Sequence, residues 1–224
     1  MTIRFLAARS LRTALVVVGA WLVLVGGLTA ANQAQAGGGA QLAWQPLFDG
    51  KTLTNWQVSK FFGGGTATVE NGQIVLAVGG DLSGITWAGT ALPTTNYELT
   101  LQAMRVEGGD FFAGITFPVA DSFCSLILGG WGGSMVGLSS INSMDASENE
   151  TSQSIDFESK RWYTIRIRVT PAAIETWLDE RQIINQSLKG NRVDTRIEVD
   201  ASQPLGVASW RTKAALRDIR LRRL

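Results

Sequence analysis

From Tyr97 to Val106 the chain reads YELTLQAMRV, and its apolar and polar positions alternate. Tyr97, Leu99, Leu101 and Ala103 share one face; Glu98, Thr100 and Gln102 share the other. Residues 161–170 repeat the pattern, with Ile165, Ile167 and Val169 set against Thr164, Arg166 and Arg168. Over 173–178, Ile174, Thr176 and Leu178 oppose Glu175 and Trp177. A strand turns successive side chains to opposite faces, so this period predicts strands with one buried and one wet face. Turn pairs punctuate the chain at short intervals: Asp49-Gly50, Asn71-Gly72, Gly79-Gly80, Gly108-Gly109, Gly129-Gly130 and Lys189-Gly190. Pro171 falls between two runs, where a turn tolerates it. Short strands without a long amphipathic helix or an internal repeat predict an all-β antiparallel two-sheet sandwich over residues 44–224.

The first residues follow a different rule. Arg4, Arg9 and Arg12, with no acid, precede a nearly all-apolar run at 14–31, and Ala34-Gln35-Ala36 ends it with small residues. Basic start, apolar middle and A-x-A end predict a helical export signal over 1–36, removed to leave a periplasmic or secreted bacterial protein free of the membrane. The other reading is a retained anchor, because the run is close to the length of a membrane span. Residues 37–43 read as a flexible spacer. The whole chain has 20 basic and 19 acidic residues, and removing those three arginines leaves 17 against 19. Such a balance is no polycation, so nucleic acid is not an expected partner.

One cysteine and no histidine narrow the chemistry. There is no internal disulfide, and Cys124, inside SFCSLIL, reads as a small buried hydrophobe. Without histidine there is no Ser-His-Asp or Cys-His pair and no His-ligated zinc. Acid–base work falls to Asp, Glu, Tyr or Lys, and a metal would be oxygen-bound, such as calcium.

Several segments, taken in order, resemble one family. LFDGKTLTNW at 47–56, VENGQIV at 69–75, NYELTLQAMRV at 96–106, WYTIRIRV at 162–169, ETWLD at 175–179 and RDIRLRRL at 217–224 are similar to the 3-keto-disaccharide hydrolase domain. The resemblance covers roughly residues 44–224 and implies a concanavalin-like jelly roll acting on glycosides or oligosaccharides. It makes LFDGKTLTNW a first strand and turn, with Phe48 and Trp56 as core or seam residues. It also directs the search for a site to one sheet and its rim loops. There the chain departs from the pattern. A family strand of N-S-G-I type stands here as GDFFAGI, with Asp110 the nearest polar substitute. A family segment that carries His stands as GVASWR, which puts Trp210 at that place.

Other candidates come from residue type. GGWGGSM sets Trp131 among four glycines, and a flat indole suits the C–H face of a sugar, although it equally suits a core edge. The polar run 139–152 holds Asp145 and Glu148 and reads as a solvated loop, or as a rim that bonds sugar hydroxyls or holds calcium; it lacks the spacing of an EF-hand. The basic tail from Arg211 to Arg223 reads as the wet face of a strand.

Two functions follow, beside a third reading as a structural protein of the cell envelope. In the enzymatic one, a 3-keto group acidifies the C2 proton of a glycoside. A carboxylate base (Asp110, Asp145 or Glu148) removes it, the glycosidic oxygen is expelled from C1, Arg211 stabilises the enolate, and water then adds back to complete a hydrolysis. In the other, a non-catalytic module stacks sugars on Trp131 and Trp210 while loop carboxylates fix hydroxyls.

Overall fold

The computed structural model describes residues 43–224. The expected signal segment 1–36, and the spacer apart from its last residue, lie outside the described residues.

Among the described residues there are fifteen strands. They are β1 (Gln45–Pro46), β2 (Trp56–Val58), β3 (Ala67–Glu70), β4 (Gln73–Leu76), β5 (Leu82–Trp87), β6 (Tyr97–Glu107), β7 (Ala113–Val119) and β8 (Ser122–Gly129). The rest are β9 (Met135–Ser139), β10 (Gln153–Ser154), β11 (Trp162–Val169), β12 (Ala173–Leu178), β13 (Arg181–Ser187), β14 (Gly206–Trp210) and β15 (Lys213–Arg223). One sheet has the order β13-β12-β11-β6-β15-β4-β3, with β1 also paired to β15; the other has the order β10-β9-β8-β7-β14-β5-β2. Every pairing is antiparallel, and the two sheets pack as the expected sandwich.

The alternation decides which side of the first sheet faces the core. Leu99 pairs with Ile167 and Leu101 with Ile165 across β6 and β11, and all four are buried. From the second sheet Ile115, Phe117, Leu126 and Leu128 close the core. Tyr97 ties the layers together, its hydroxyl donating to the carbonyl of Pro118 on β7 at 2.6 Å. Cys124 is buried among these groups, and burial pushes its thiol up to about 12. The segment LFDGKTLTNW, expected as a first strand and turn, supplies the turn: the two-residue β1 precedes it and Trp56, its last residue, opens β2. Asp49 accepts the N–H groups of Lys51 and Thr52, both at 2.7 Å. Phe48 and Trp56 are core residues, and Trp56 meets Trp87 edge-on at 5.2 Å.

One polar position departs from expectation. Glu98, on the side read as wet, is fully buried. Strand register explains it: Arg168 on β11 and Arg222 on β15 stand directly opposite Glu98 from either side. Arg166 and Arg168 each donate to one carboxylate oxygen at 2.9 Å, and Arg222 Nε donates to the other at 2.7 Å. Indoles cover the guanidinium planes, with Arg166 3.6 Å from the ring centre of Trp177 and Arg222 4.5 Å from that of Trp44. Burial opposes ionisation of Glu98, but the hydrogen bonds from Arg222, Arg168 and Arg166 outweigh it and hold the carboxyl below its ordinary range.

Candidate functional site

The outer face of the second sheet is built from small residues. Inward-facing Ile115, Leu126 and Val207 fix the alternation, so Gly114, Thr116, Ser125, Ile127, Gly137, Ser139, Ala208 and Trp210 face away from the core. Pairing sets them in rows across the strands. Thr116 stands opposite Ser125, and Ser125 opposite Ser139. Trp210 stands opposite Leu82. Small side chains leave room above the sheet, and Phe111 folds back over Gly114, whose missing Cβ would lie 3.0 Å from the ring.

A cleft of about 280 Å³ lies on this face. Leu82, Phe111, Ile127 and Trp210 wall it; Ser125 and Ser139 form its floor; Trp131 stands at its rim. Arg196, Glu198 and Val199 close one side, carried by the 3₁₀ turn Ile197–Ser202 and the residue before it. Phe111 and Trp210 lie 6.4 Å apart between ring centres, a tilted aromatic pair.

The Trp131 rim is held from below. Trp131 sits in the left-handed region at φ 49°, ψ 49°, which an L-residue with a bulky side chain rarely adopts. Gly129 at φ 79°, Gly132 at φ 91° and Gly133 at φ 115° share that hand, so the backbone can turn outward and leave the indole half-exposed. Two charged groups secure the turn. One Asp110 oxygen accepts the Phe111 N–H at 2.7 Å, and the other accepts the Gly132 N–H at 3.2 Å. Arg105, buried behind Phe112, donates to the Gly133 carbonyl at 2.7 Å. Burial pulls the Arg105 guanidinium below its usual value, and Asp110 opposes that shift.

On the other side, Arg196 lies between two carboxylates. It donates to Asp145 at 2.6 Å and to Glu198 at 2.9 Å. The bond from Arg196 holds Glu198 below the ordinary carboxylate range, and Glu198 raises Arg196 in return. Asp145 is itself fixed by the N–H of Ser147 at 3.0 Å and its hydroxyl at 2.7 Å.

Asp110, Trp131 and Trp210, remote in sequence, thus line one cleft. Asp145 stands one step back, reaching it through Arg196. Glu148 is exposed and outside the lining. Arg211 is also outside it; its guanidinium lies 5.6 Å from the ring centre of Trp210 but is paired with Asp81 at 2.6 Å. The polar run after Ser139 is less solvated than its composition implies. Asn149 is buried and donates to the carbonyls of Leu138 and Asp145, both at 2.7 Å. Sequence reading missed Phe111, Arg196, Glu198 and the floor serines, since no local pattern marks them. Among the described residues no group of three or more His, Cys, Asp or Glu side chains is placed to hold a metal ion.

An all-β sandwich with an aromatic-walled cleft on one sheet defines the class, a concanavalin-like carbohydrate-active β-sandwich. Residues 43–222 match the model of the family described as 3-keto-alpha-glucoside-1,2-lyase-like domain, and the chain belongs to that family. Comparison with curated proteins gives no significant match. Among solved structures the fold is similar to the Crh5 transglycosylase in complex with NAG, with 12% identity, 82% of this chain and 85% of the other covered, and a TM-score of 0.57. It is also similar to the carbohydrate binding module CBM66 from Bacillus subtilis, with 13% identity, 75% and 95% covered, and a TM-score of 0.50. A sialidase matches over 81% of this chain but 18% of its own length, with 11% identity and a TM-score of 0.53. At these identities the likenesses establish the fold.

Proposed function

We propose that this protein binds a neutral glycan, holding a sugar unit in the cleft between Trp131, Trp210 and Phe111. The observation that carries the proposal is the convergence of these rings on one small cleft whose lining also holds serine hydroxyls and charged groups. Sugar rings present C–H faces that pack on π surfaces and hydroxyls that need fixed partners, and such a lining meets both needs. The volume, at the small end of ligand sites, suits one or two sugar units rather than a long chain. Family membership suggests α-glucosides. The segment 1–36, read as an export signal, supports a periplasmic or secreted setting where such sugars are met.

A second reading is favoured by the family description: elimination from a 3-keto-α-glucoside. The base takes the C2 proton, a C1=C2 double bond forms, and the C1–O bond breaks to release an alcohol that picks up a proton. Asp110 is the carboxylate best located to serve, and Arg196 the cation. Against this stand two features. Both Asp110 oxygens are occupied by backbone N–H groups, and the chain has no imidazole to relay the proton.

Titration with methyl α-D-glucopyranoside and maltose, followed by tryptophan fluorescence, tests the first reading. Incubation with a 3-keto-α-glucoside tests the second. Saturable binding with slow or no turnover is expected. Rapid elimination, abolished by Asp110→Asn, would replace the binding reading with the lyase reading.

A further inference from the structure

Ser139, on β9, lies on the cleft floor. It is 1% exposed, and its hydroxyl has no hydrogen-bond partner. Its cross-strand neighbour Ser125 is just as buried, but bonds the Thr116 hydroxyl at 2.8 Å. Folded proteins leave few such groups unpaired, because a buried hydroxyl forfeits the bond it had with water. The other unpaired buried hydroxyls among the described residues, on Thr95, Thr176 and Ser202, do not line the cleft. Ser139 alone among these residues combines an unpaired buried hydroxyl with a place on the cleft lining.

The chemistry around it selects the ligand group. Glu198 and Asp110 line the cleft and Asp145 stands behind Arg196; Asp145 and Glu198 already occupy Arg196, and Asp110 acts on the buried Arg105, so three carboxylates stand against two guanidinium groups. An anionic group would add charge to an acidic surrounding. A hydroxyl brings none, and it both accepts and donates.

We propose that Ser139, beside Ser125, forms a hydroxyl-reading subsite. The Ser139 hydroxyl donates to one hydroxyl oxygen of a neutral sugar seated against Trp131 and Trp210. The proposal rests on the glycan reading and adds the group that gives it selectivity: a site built to bond a hydroxyl rejects the analogue that lacks it.

Two measurements on the full-length protein test it. The first needs no ligand. Ser125→Ala breaks a bond within the protein and is expected to lower Tm by roughly 2–4 °C. Ser139→Ala breaks none and is expected to leave Tm unchanged or raise it. A drop for Ser139→Ala as large as that for Ser125→Ala would mean the hydroxyl has a protein partner, and would overturn the proposal. The second is an NMR titration with methyl α-D-glucopyranoside and its four monodeoxy analogues. The natural protein is expected to bind one analogue about tenfold more weakly than the parent sugar, and Ser139→Ala is expected to erase that difference by weakening the parent about tenfold. If the variant binds the parent and discriminates as well as the natural protein, the subsite falls and the glycan reading stands. If no sugar binds either protein, the glycan reading falls and takes the subsite with it.

Discussion

Replacing Asp110 with Asn separates a residue that holds Trp131 from one that does chemistry. The carboxylate accepts one N–H with each oxygen, from Phe111 at 2.7 Å and from Gly132 at 3.2 Å. Asparagine keeps one accepting oxygen and sets an NH₂ against the other N–H. The shorter bond survives and the Gly132 bond is lost. That bond is long and lies at the surface, so its loss costs about 1 kcal/mol, the value of an ordinary hydrogen bond rather than of one to a buried charge. It offsets part of a conformation that costs about 1–2 kcal/mol at Trp131, the left-handed φ of 49°. Released, the turn spends most of its time in other conformers. A shift of about 1–1.4 kcal/mol lowers the binding-competent fraction, and with it the affinity, by about five- to tenfold. Calorimetric titration with maltose reads the affinity, and thermal unfolding reads an accompanying fall in Tm of roughly 2–4 °C. Trp131→Gly should weaken affinity further, by about 10- to 30-fold, without the fall in Tm, because glycine accepts the turn but brings no indole. Unchanged affinity in Asp110→Asn would refute the clamp. Complete loss of binding with Tm intact would also refute it, and would place Asp110 in direct contact with the sugar.

Two further outcomes follow from the charges. Glu98→Gln leaves three guanidinium groups around a neutral amide and should destabilise the domain by about 2–3 kcal/mol; that is below the value for a fully buried pair, because the arginines keep some exposure. Since its folded pKa is lowered, the stability from ionised Glu98 is present above the ordinary glutamate value and is lost as pH falls through the folded one; urea unfolding between about pH 3 and 6 should show this acid limb in the natural protein and a flatter one in Glu98→Gln. In the cleft, the surplus of carboxylates over Arg196 and Arg105 should make methyl α-D-glucuronide bind at least about fivefold more weakly than methyl α-D-glucopyranoside, a gap that narrows with added salt; equal affinity at low salt would contradict the acidic character assigned to the site.

The sequence made the two sheets unequally legible, for a physical reason. β6, β11 and β12 keep one wet face, so their alternation is plain. β5 and β7 are buried throughout, and β8 nearly so, because loops and the aromatic wall cover their outer side; LSGITW and AGITFPV then carry no alternation to read. The same cover hid the site. Trp131 and Trp210 stood out as candidates by residue type and by resemblance to the family. Arg196 and Glu198 did not, because their place depends on an ion pair to Asp145 that spans 51 residues of sequence. Glu98 was misjudged because three arginines on neighbouring strands, covered by two indoles, bury what alternation alone exposes. Ser125 and Ser139 are ordinary serines until strand register sets them side by side.

The central claim, that the cleft between Trp131 and Trp210 is where sugar binds, is tested most directly by calorimetric titration of maltose into the natural protein and the double variant Trp131→Ala/Trp210→Ala. Trp131 is half-exposed and Trp210 lies at the cleft surface, so their removal should lower Tm by only a few degrees, roughly the range of a surface truncation. Each anchoring indole contributes on the order of 1.5–2 kcal/mol to binding, so affinity should fall by roughly 100-fold or more. A double variant that remains folded and binds maltose as tightly as the natural protein would contradict the assignment.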